Sequence, residues 1–158
     1  MKSIWFDMDG TLYELYKIPN WLERLERGDM SVFEDGKARA HLKRINRAIE
    51  GLVKQGWRVG VITWAPKNIT PRLFTWANDV KFNWIVENCP ALANSFACIP
   101  YGESKAQFLQ DMEAEGAELN ILVDDNKEVR AEWRTHGKTF KTINASKSFY
   151  RALEGLLG

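Results

Sequence analysis

Residues 3–11 read SIWFDMDGT, a short apolar run closed by two aspartates one residue apart and an Asp-Gly pair. Residues 3–6 carry aromatic and β-branched side chains that suit a strand. The strand then meets Asp7 and Asp9, so it presents carboxylates at its carboxyl end. Open α/β sheets bind their ligands at that end. A dinucleotide-binding turn would need a run of glycines here. Asp7-Met8-Asp9 stands in that place instead.

Outward from this stretch, short apolar runs alternate with longer helical periods, the pattern of an α/β fold with a mainly parallel sheet. Residues 58–63 (RVGVIT), 81–86 (KFNWIV), 120–123 (NILV) and 139–143 are expected strands, with 97–99 a short extra one. Between Gly36 and Lys54, Leu42, Ile45, Ile49, Leu52 and Val53 follow a helical period. Thr70-Pro71 reads as N-cap and first position of a helix reaching about Asn78. Glu103 or Ser104 opens a helix to Glu115 that stops at Gly116. Asn126 caps a helix ending near Gly137, and Ser146 a last one ending at Gly155 or beyond.

Residues 13–35 break the alternation. Pro19, an amphipathic piece around Trp21, Leu22 and Leu25, and Gly28 suggest an excursion of about 20 residues with one short helix. Connections of that length in a compact domain are often lids.

The 158 residues are 45% hydrophobic and 27% charged, which fits one globular domain over 1–158. Twenty-two basic and 21 acidic residues give a net charge of +1, too little to draw the chain to nucleic acid or a membrane. Cys89 and Cys98 cannot build a disulfide framework or a four-ligand zinc site alone, and they fit a reducing compartment. No apolar run approaches the roughly 20 residues of a membrane span. Charged Asp7 and Asp9 interrupt the apolar stretch that a signal peptide would need. The expected location is the cytoplasm.

Polar groups recur where the strands end: Asp7 and Asp9, then Thr63, then Asp124-Asp125. Carboxylates sharing one crevice repel by about 4 kcal/mol per pair at roughly 4 Å in an intermediate dielectric. A divalent cation relieves that repulsion, and all-oxygen ligands without His or Cys favour Mg²⁺. Lys105, in the first turn of its helix, opposes the helix dipole at a cost of roughly 0.3–1 kcal/mol. A bound anion offsets that cost.

DMDGT after an apolar strand, a second strand ending in Thr63, then Lys105, then ILVDD resemble, in order and spacing, the four motifs of the haloacid dehalogenase-like (HAD) superfamily. The resemblance spans the chain as a scaffold. It implies a three-layer Rossmann-like fold with a small cap excursion at about 13–35. It also implies phosphoryl transfer, since the dehalogenase branch does not need a proton donor at Asp9. By the same resemblance Asp7 is the nucleophile that forms an aspartyl-phosphate, and Asp9 is the general acid and later base. Thr63 and Lys105 bind phosphate, and Lys105 also holds Asp7. The implied Mg²⁺ ligands are Asp7, Asp124, the Asp9 backbone carbonyl and the supporting acid Asp125. Met8 and Gly10 are expected to turn backbone amides to the phosphate.

Trp64, at the phosphate side, and Lys67 and Asn68 follow Thr63 on the loop at the site. Stacking on a leaving group and plain loop packing are both open to Trp64. The basic residues of the 36–54 helix read as a solvated face, with only Lys37 near the strand ends. His41 and His136 lack metal-ligand spacing. The expected function is a Mg²⁺-dependent phosphatase. The alternative is a non-catalytic phosphate- or Mg²⁺-binding module on the same scaffold. With no room for a second cap domain, the site is expected to be rather open. That suits a phosphoprotein, a nucleic-acid end, or a small ester such as a nucleotide if the excursion closes over it.

Overall fold

The structure, a computed structural model, describes residues 1–113 and 116–158. Five strands form one sheet: β1 (Lys2–Phe6), β2 (Arg58–Trp64), β3 (Phe96–Ile99), β4 (Leu119–Asp124) and β5 (Phe140–Asn144). Their order is β3-β2-β1-β4-β5, and every neighbouring pair is parallel. Six α-helices accompany them among the described residues: α1 (Trp21–Glu26), α2 (Leu42–Lys54), α3 (Pro71–Asn88), α4 (Lys105–Met112), α5 (Lys127–Arg134) and α6 (Tyr150–Leu156).

Side chains alternate across each strand, and this makes three layers. Ile4, Phe6, Val59, Val61, Ile121 and Val123 pack on one face with Ile49 of α2, Ile85 of α3 and Leu153 of α6. Trp5, Ile62 and Leu122 pack on the other with Leu109 of α4 and Trp133 of α5. Gly60 is required where it stands. It pairs with Trp5, and a Cβ there would lie 2.5 Å from the Trp5 ring.

One expected strand is not a strand. Residues 81–86 lie inside α3, which runs to Asn88 rather than Asn78. The buried positions Ala77, Val80, Lys81, Trp84 and Ile85 recur at helical spacing. A lysine within that stripe hid it from hydrophobic patterning. The short segment at 97–99 is the fifth strand, β3, at the sheet edge.

The cap residues Thr70, Ser104 and Asn126 each accept a backbone N–H three residues on, from Leu73, Gln107 and Val129. Three further helix boundaries differ from expectation. The helix expected from Gly36 begins at Leu42, because residues 37–39 pair instead with the segment after β1: Glu14 N–H donates to Lys37 O and Arg39 N–H to Leu12 O. The Asn126-capped helix stops at Arg134. The last helix starts at Tyr150, and Ser146 N–H is instead taken by Asn144 Oδ1. α4 closes at Met112, and the helix end expected at Glu115 lies outside the described residues.

The excursion is folded rather than loose. It holds α1 and two single 3-10 turns, Leu15–Lys17 and Met30–Phe33. Met30, Val32 and Phe33 are buried in the core on the α3 side. Arg24 ties the segment together, donating to Asp29, Ser31 and Asp35. The Tyr13 hydroxyl donates to Val32 O and accepts from Gly36 N–H.

Candidate active site

Strand register builds the site. Phe6 pairs with Val123, and Asp7 N–H donates to Val123 O at 2.9 Å, so Asp7 and Asp124 emerge side by side from β1 and β4. Asp125 follows, and α5 begins directly behind it. Asn126 N–H donates to Asp124 Oδ1 and the Arg130 guanidinium to Asp124 O, which fixes that turn. One carboxylate oxygen from each of Asp7, Asp124 and Asp125 lies within 4.8 Å of the others. Gly10 (φ +79°) lets the loop after β1 pass close to Asp125, and a Cβ there would also lie 2.8 Å from the Tyr16 ring.

Lys105, the first residue of α4, is 3% exposed and donates to Asp7 Oδ1 at 2.9 Å and Asp124 Oδ2 at 2.8 Å. Burial works against its ammonium, but Asp7 and Asp124 outweigh it and raise the Lys105 pKa overall. One lysine does not balance three acids. Burial, then the Asp7 charge, pushes Asp124 up to about 6. Burial, then Asp7 and Asp124, pushes Asp125 up to about 7. An all-oxygen trio, two of its acids buried, with surplus negative charge fits a hard divalent cation such as Mg²⁺.

Asp9 faces a different partner. Its carboxylate is not in the trio. Asp9 Oδ2 accepts from the Lys81 ammonium at 2.7 Å. Lys81, from the interior face of α3, also donates to Thr63 Oγ1 at 3.0 Å and Trp64 O at 2.7 Å. Its ammonium sits 4.5 Å from the centre of the Phe33 ring. Burial raises the Asp9 pKa, with Lys81 opposing and Asp7 adding to the rise. Asp9 Oδ1 is buried and has no hydrogen-bond partner among the described residues.

The remaining expected residues divide. Thr63 is fully buried and turned to Lys81, away from the cavity wall. The Met8 side chain is in the core, and its carbonyl gathers the N–H groups of Thr11, Leu12 and Tyr13. Gly10 corrects an expectation: its N–H is donated to Tyr13 O at 2.7 Å, so it is not free for a phosphate. The tight turn after β1 consumes it. Thr11 Oγ1 makes long hydrogen bonds to Asp7 Oδ2 and Asp125 Oδ1, at 3.3 and 3.4 Å. Lys37 is outside the site lining.

A cavity of about 650 Å³ opens over Asp7, Asp9, Lys105, Asp124 and Asp125. The excursion supplies part of its wall through Tyr16, Trp21, Leu25 and Phe33. Trp64 at the end of β2 and the loops after β2 and β3, with Lys67, Asn68 and Tyr101, supply more. Tyr16 packs edge-on against Trp21 at 5.0 Å, and Trp64 lies 4.9 Å from Tyr101. Trp64 donates its indole N–H to Glu103 O, so its ring is anchored. The excursion therefore forms part of the cavity wall. Lys81 and Tyr101 were missed: one was assigned to a strand, and the other belongs to a loop with no motif.

No family model matches the chain, and no curated protein does. Among solved structures it is similar to a Burkholderia xenovorans LB400 protein described as a "putative haloacid dehalogenase-like hydrolase". That match has a TM-score of 0.52 and covers 94% of this chain and 83% of the other, at 16% identity. The likeness is one of fold: the chain has the Rossmann-like architecture of haloacid dehalogenase-like proteins, with its acids at the carboxyl ends of the strands.

Proposed function

We propose that the protein is a Mg²⁺-dependent phosphatase of the HAD type, hydrolysing a phosphate monoester through an aspartyl-phosphate on Asp7. One observation carries the reading: Asp7 sits between a buried lysine and two further acids, and a separately held second acid, Asp9, borders the same cavity. The donors suited to Mg²⁺ are Asp7, Asp124 and Asp125, with the Asp9 carbonyl as implied by the motif. When bound there, the ion would neutralise phosphate charge and make phosphorus more open to attack.

In this reading the Asp7 carboxylate attacks phosphorus, and the P–O bond to the leaving alcohol breaks. Asp9 gives its proton to the departing oxygen. It then takes a proton from the water that attacks the acyl phosphate, releasing inorganic phosphate and regenerating Asp7. Lys105 holds the Asp7 carboxylate by a hydrogen bond to Oδ1 and offsets charge on the transferring group.

The bounded, aromatic-walled cavity favours a small ester over a phosphoprotein or a nucleic-acid end. A planar or apolar leaving group, a nucleoside among them, suits the rings of Trp21, Trp64 and Tyr101. Cys89 and Cys98 are free thiols, in keeping with a cytoplasmic location.

The test is phosphate release with and without Mg²⁺ for wild type and Asp7→Asn. The panel holds an aryl phosphate, nucleoside monophosphates, sugar phosphates, a phosphopeptide and end-phosphorylated oligonucleotides. Asp7→Asn is expected to lose at least about 10³-fold in kcat, because the nucleophile itself is gone. Mg²⁺ and phosphate-mimic binding without turnover on any substrate would favour the binding-module reading instead.

A further inference from the structure

We propose that the apolar face of α1 seats the leaving group, so that the substrate is the phosphate monoester of an apolar alcohol whose hydrocarbon body lies along Trp21, Leu22 and Leu25 and ends at Leu73. The inference rests on the phosphatase reading above and names the substrate class of the same site.

An amphipathic helix normally turns its apolar face to the core. In α1 no residue is buried. Its apolar residues Trp21, Leu22 and Leu25 all line the cavity over the acids, and of its charged residues only Glu26, which is exposed, joins them. Trp21 and Leu25 are half-buried against the core, while Leu22 is 51% exposed. Tyr16 and Tyr101, also in the lining, are 53% and 48% exposed. One exposed leucine means little. Several large apolar side chains exposed around one cavity mark a ligand surface.

Contacts lead from the acids to that face. Gly10 abuts Asp125 and the Tyr16 ring, Tyr16 packs on Trp21 at 5.0 Å, and Leu25 stands one turn further along α1. Beyond α1, Gly28 meets Leu73 of α3, where a Cβ on the glycine would lie 3.3 Å from Leu73 Cδ1. Both residues line the cavity, so the excursion and α3 bound it together on that side. With the phosphate held at Asp7 and Lys105, a group that reaches α1 is the one joined to that phosphate, the leaving group. On the opposite loop Lys67 and Asn68 are exposed, and the Lys67 ammonium lies over the Tyr101 ring at 4.7 Å. A hydroxylated leaving group would give up water along α1 for little in return. A hydrocarbon gains about fourfold in binding for each methylene buried.

The test is kcat/KM, with Mg²⁺ present, for straight-chain alkyl phosphates from ethyl to octyl, 2-phenylethyl phosphate and glycerol 2-phosphate. All are alkyl esters, so the leaving-group chemistry stays nearly constant along the series. For wild type the value is expected to rise about two- to fourfold per methylene, then level off where the chain reaches Leu73. 2-Phenylethyl phosphate should exceed glycerol 2-phosphate at least about tenfold. In Leu25→Asn the ratio of octyl to ethyl ester should fall at least about tenfold, because a polar amide replaces the apolar contact. Leu73→Ala should move the levelling point to a longer chain. Leu22→Asn, at an exposed position, should lower the octyl-to-ethyl ratio about threefold and carries the test if Leu25→Asn does not fold.

A wild-type value that does not rise with chain length overturns the inference and leaves the phosphatase reading standing, as does glycerol 2-phosphate turned over as well as hexyl phosphate. Equal losses on the ethyl and octyl esters in the Asn variants also overturn it, since they would mean that α1 supports the fold rather than the leaving group. A wild type that releases phosphate from no ester overturns the phosphatase reading, and this inference with it, before any variant is made.

Discussion

Two carboxylate–lysine groups lie side by side at the end of this sheet, and they are built differently. Around Lys105, Asp7 and Asp124 share one ammonium, and a third acid, Asp125, lies beside them at the cavity. Around Lys81, one acid meets one ammonium whose other donors end on a hydroxyl and a backbone carbonyl. The first group carries surplus negative charge, and burial together with the neighbouring acids pushes Asp124 up to about 6 and Asp125 up to about 7. The second is balanced. Surplus charge in a buried cluster marks a place for a cation, whereas a balanced and saturated pair holds a side chain in one pose. Carboxylates at a single sheet edge can therefore do two jobs, and their partners tell which.

Removing the lysine from the trio should have the largest effect. Lys105→Met leaves two buried acids, Asp7 and Asp124, with no counter-charge beside a third, and the metal-free protein is expected to lose about 3–5 kcal/mol of stability in denaturant unfolding. A loss no greater than that of Lys81→Met would erase the distinction between the two groups.

The pH dependence of stability comes next. Asp124 and Asp125 have folded-state pKa values raised above the ordinary 3.8. The folded chain thus holds protons that the unfolded chain has released, and stability falls as pH rises from about 4 through about 7. In chelator, the melting temperature should drop between about pH 5 and pH 8. Added Mg²⁺ should restore it mainly at the higher pH, where the acids are ionised. A flat profile in chelator would contradict the surplus-charge account.

The smallest effect is expected from removing one surplus charge. Asp125→Asn should raise the metal-free melting temperature at about pH 8 by a few degrees, at roughly 2–4 °C per kcal/mol for a chain of this size. Mg²⁺ affinity should fall in the same variant. A lower melting temperature would mean that Asp125 stabilises the metal-free fold rather than straining it.

Much of this could be read before any coordinates. Strand ends announce themselves where an apolar run stops at Asp7, Thr63 or Asp124, and capping residues such as Asn126 mark where helices start. What failed was α3. Its inner face includes Lys81, and a buried charge looks, in a linear pattern, like a surface position. The first half of the helix was recognised from Thr70-Pro71, while KFNWIV passed for a strand because its apolar residues are dense and short. The part the excursion plays in walling the site is hidden for a related reason. Residues 13–35 have no periodicity that reveals Tyr13 bonding to Val32 and Gly36, or Arg24 tying Asp29 to Asp35.

The order of chemistry-bearing residues along the chain sufficed to specify a parallel α/β sheet with acids at its carboxyl edge. Strand propensity, capping and strand-end position are local properties, and local properties survive in a linear string. Which acid meets which lysine is not local. Asp7 and Lys105 are joined by the register of β1 on β4 and the start of α4, and Asp9 and Lys81 by the packing of α3 on the sheet. Only close packing across some 70 to 100 residues of chain decides those pairings, because electrostatic partners are chosen by distance in space.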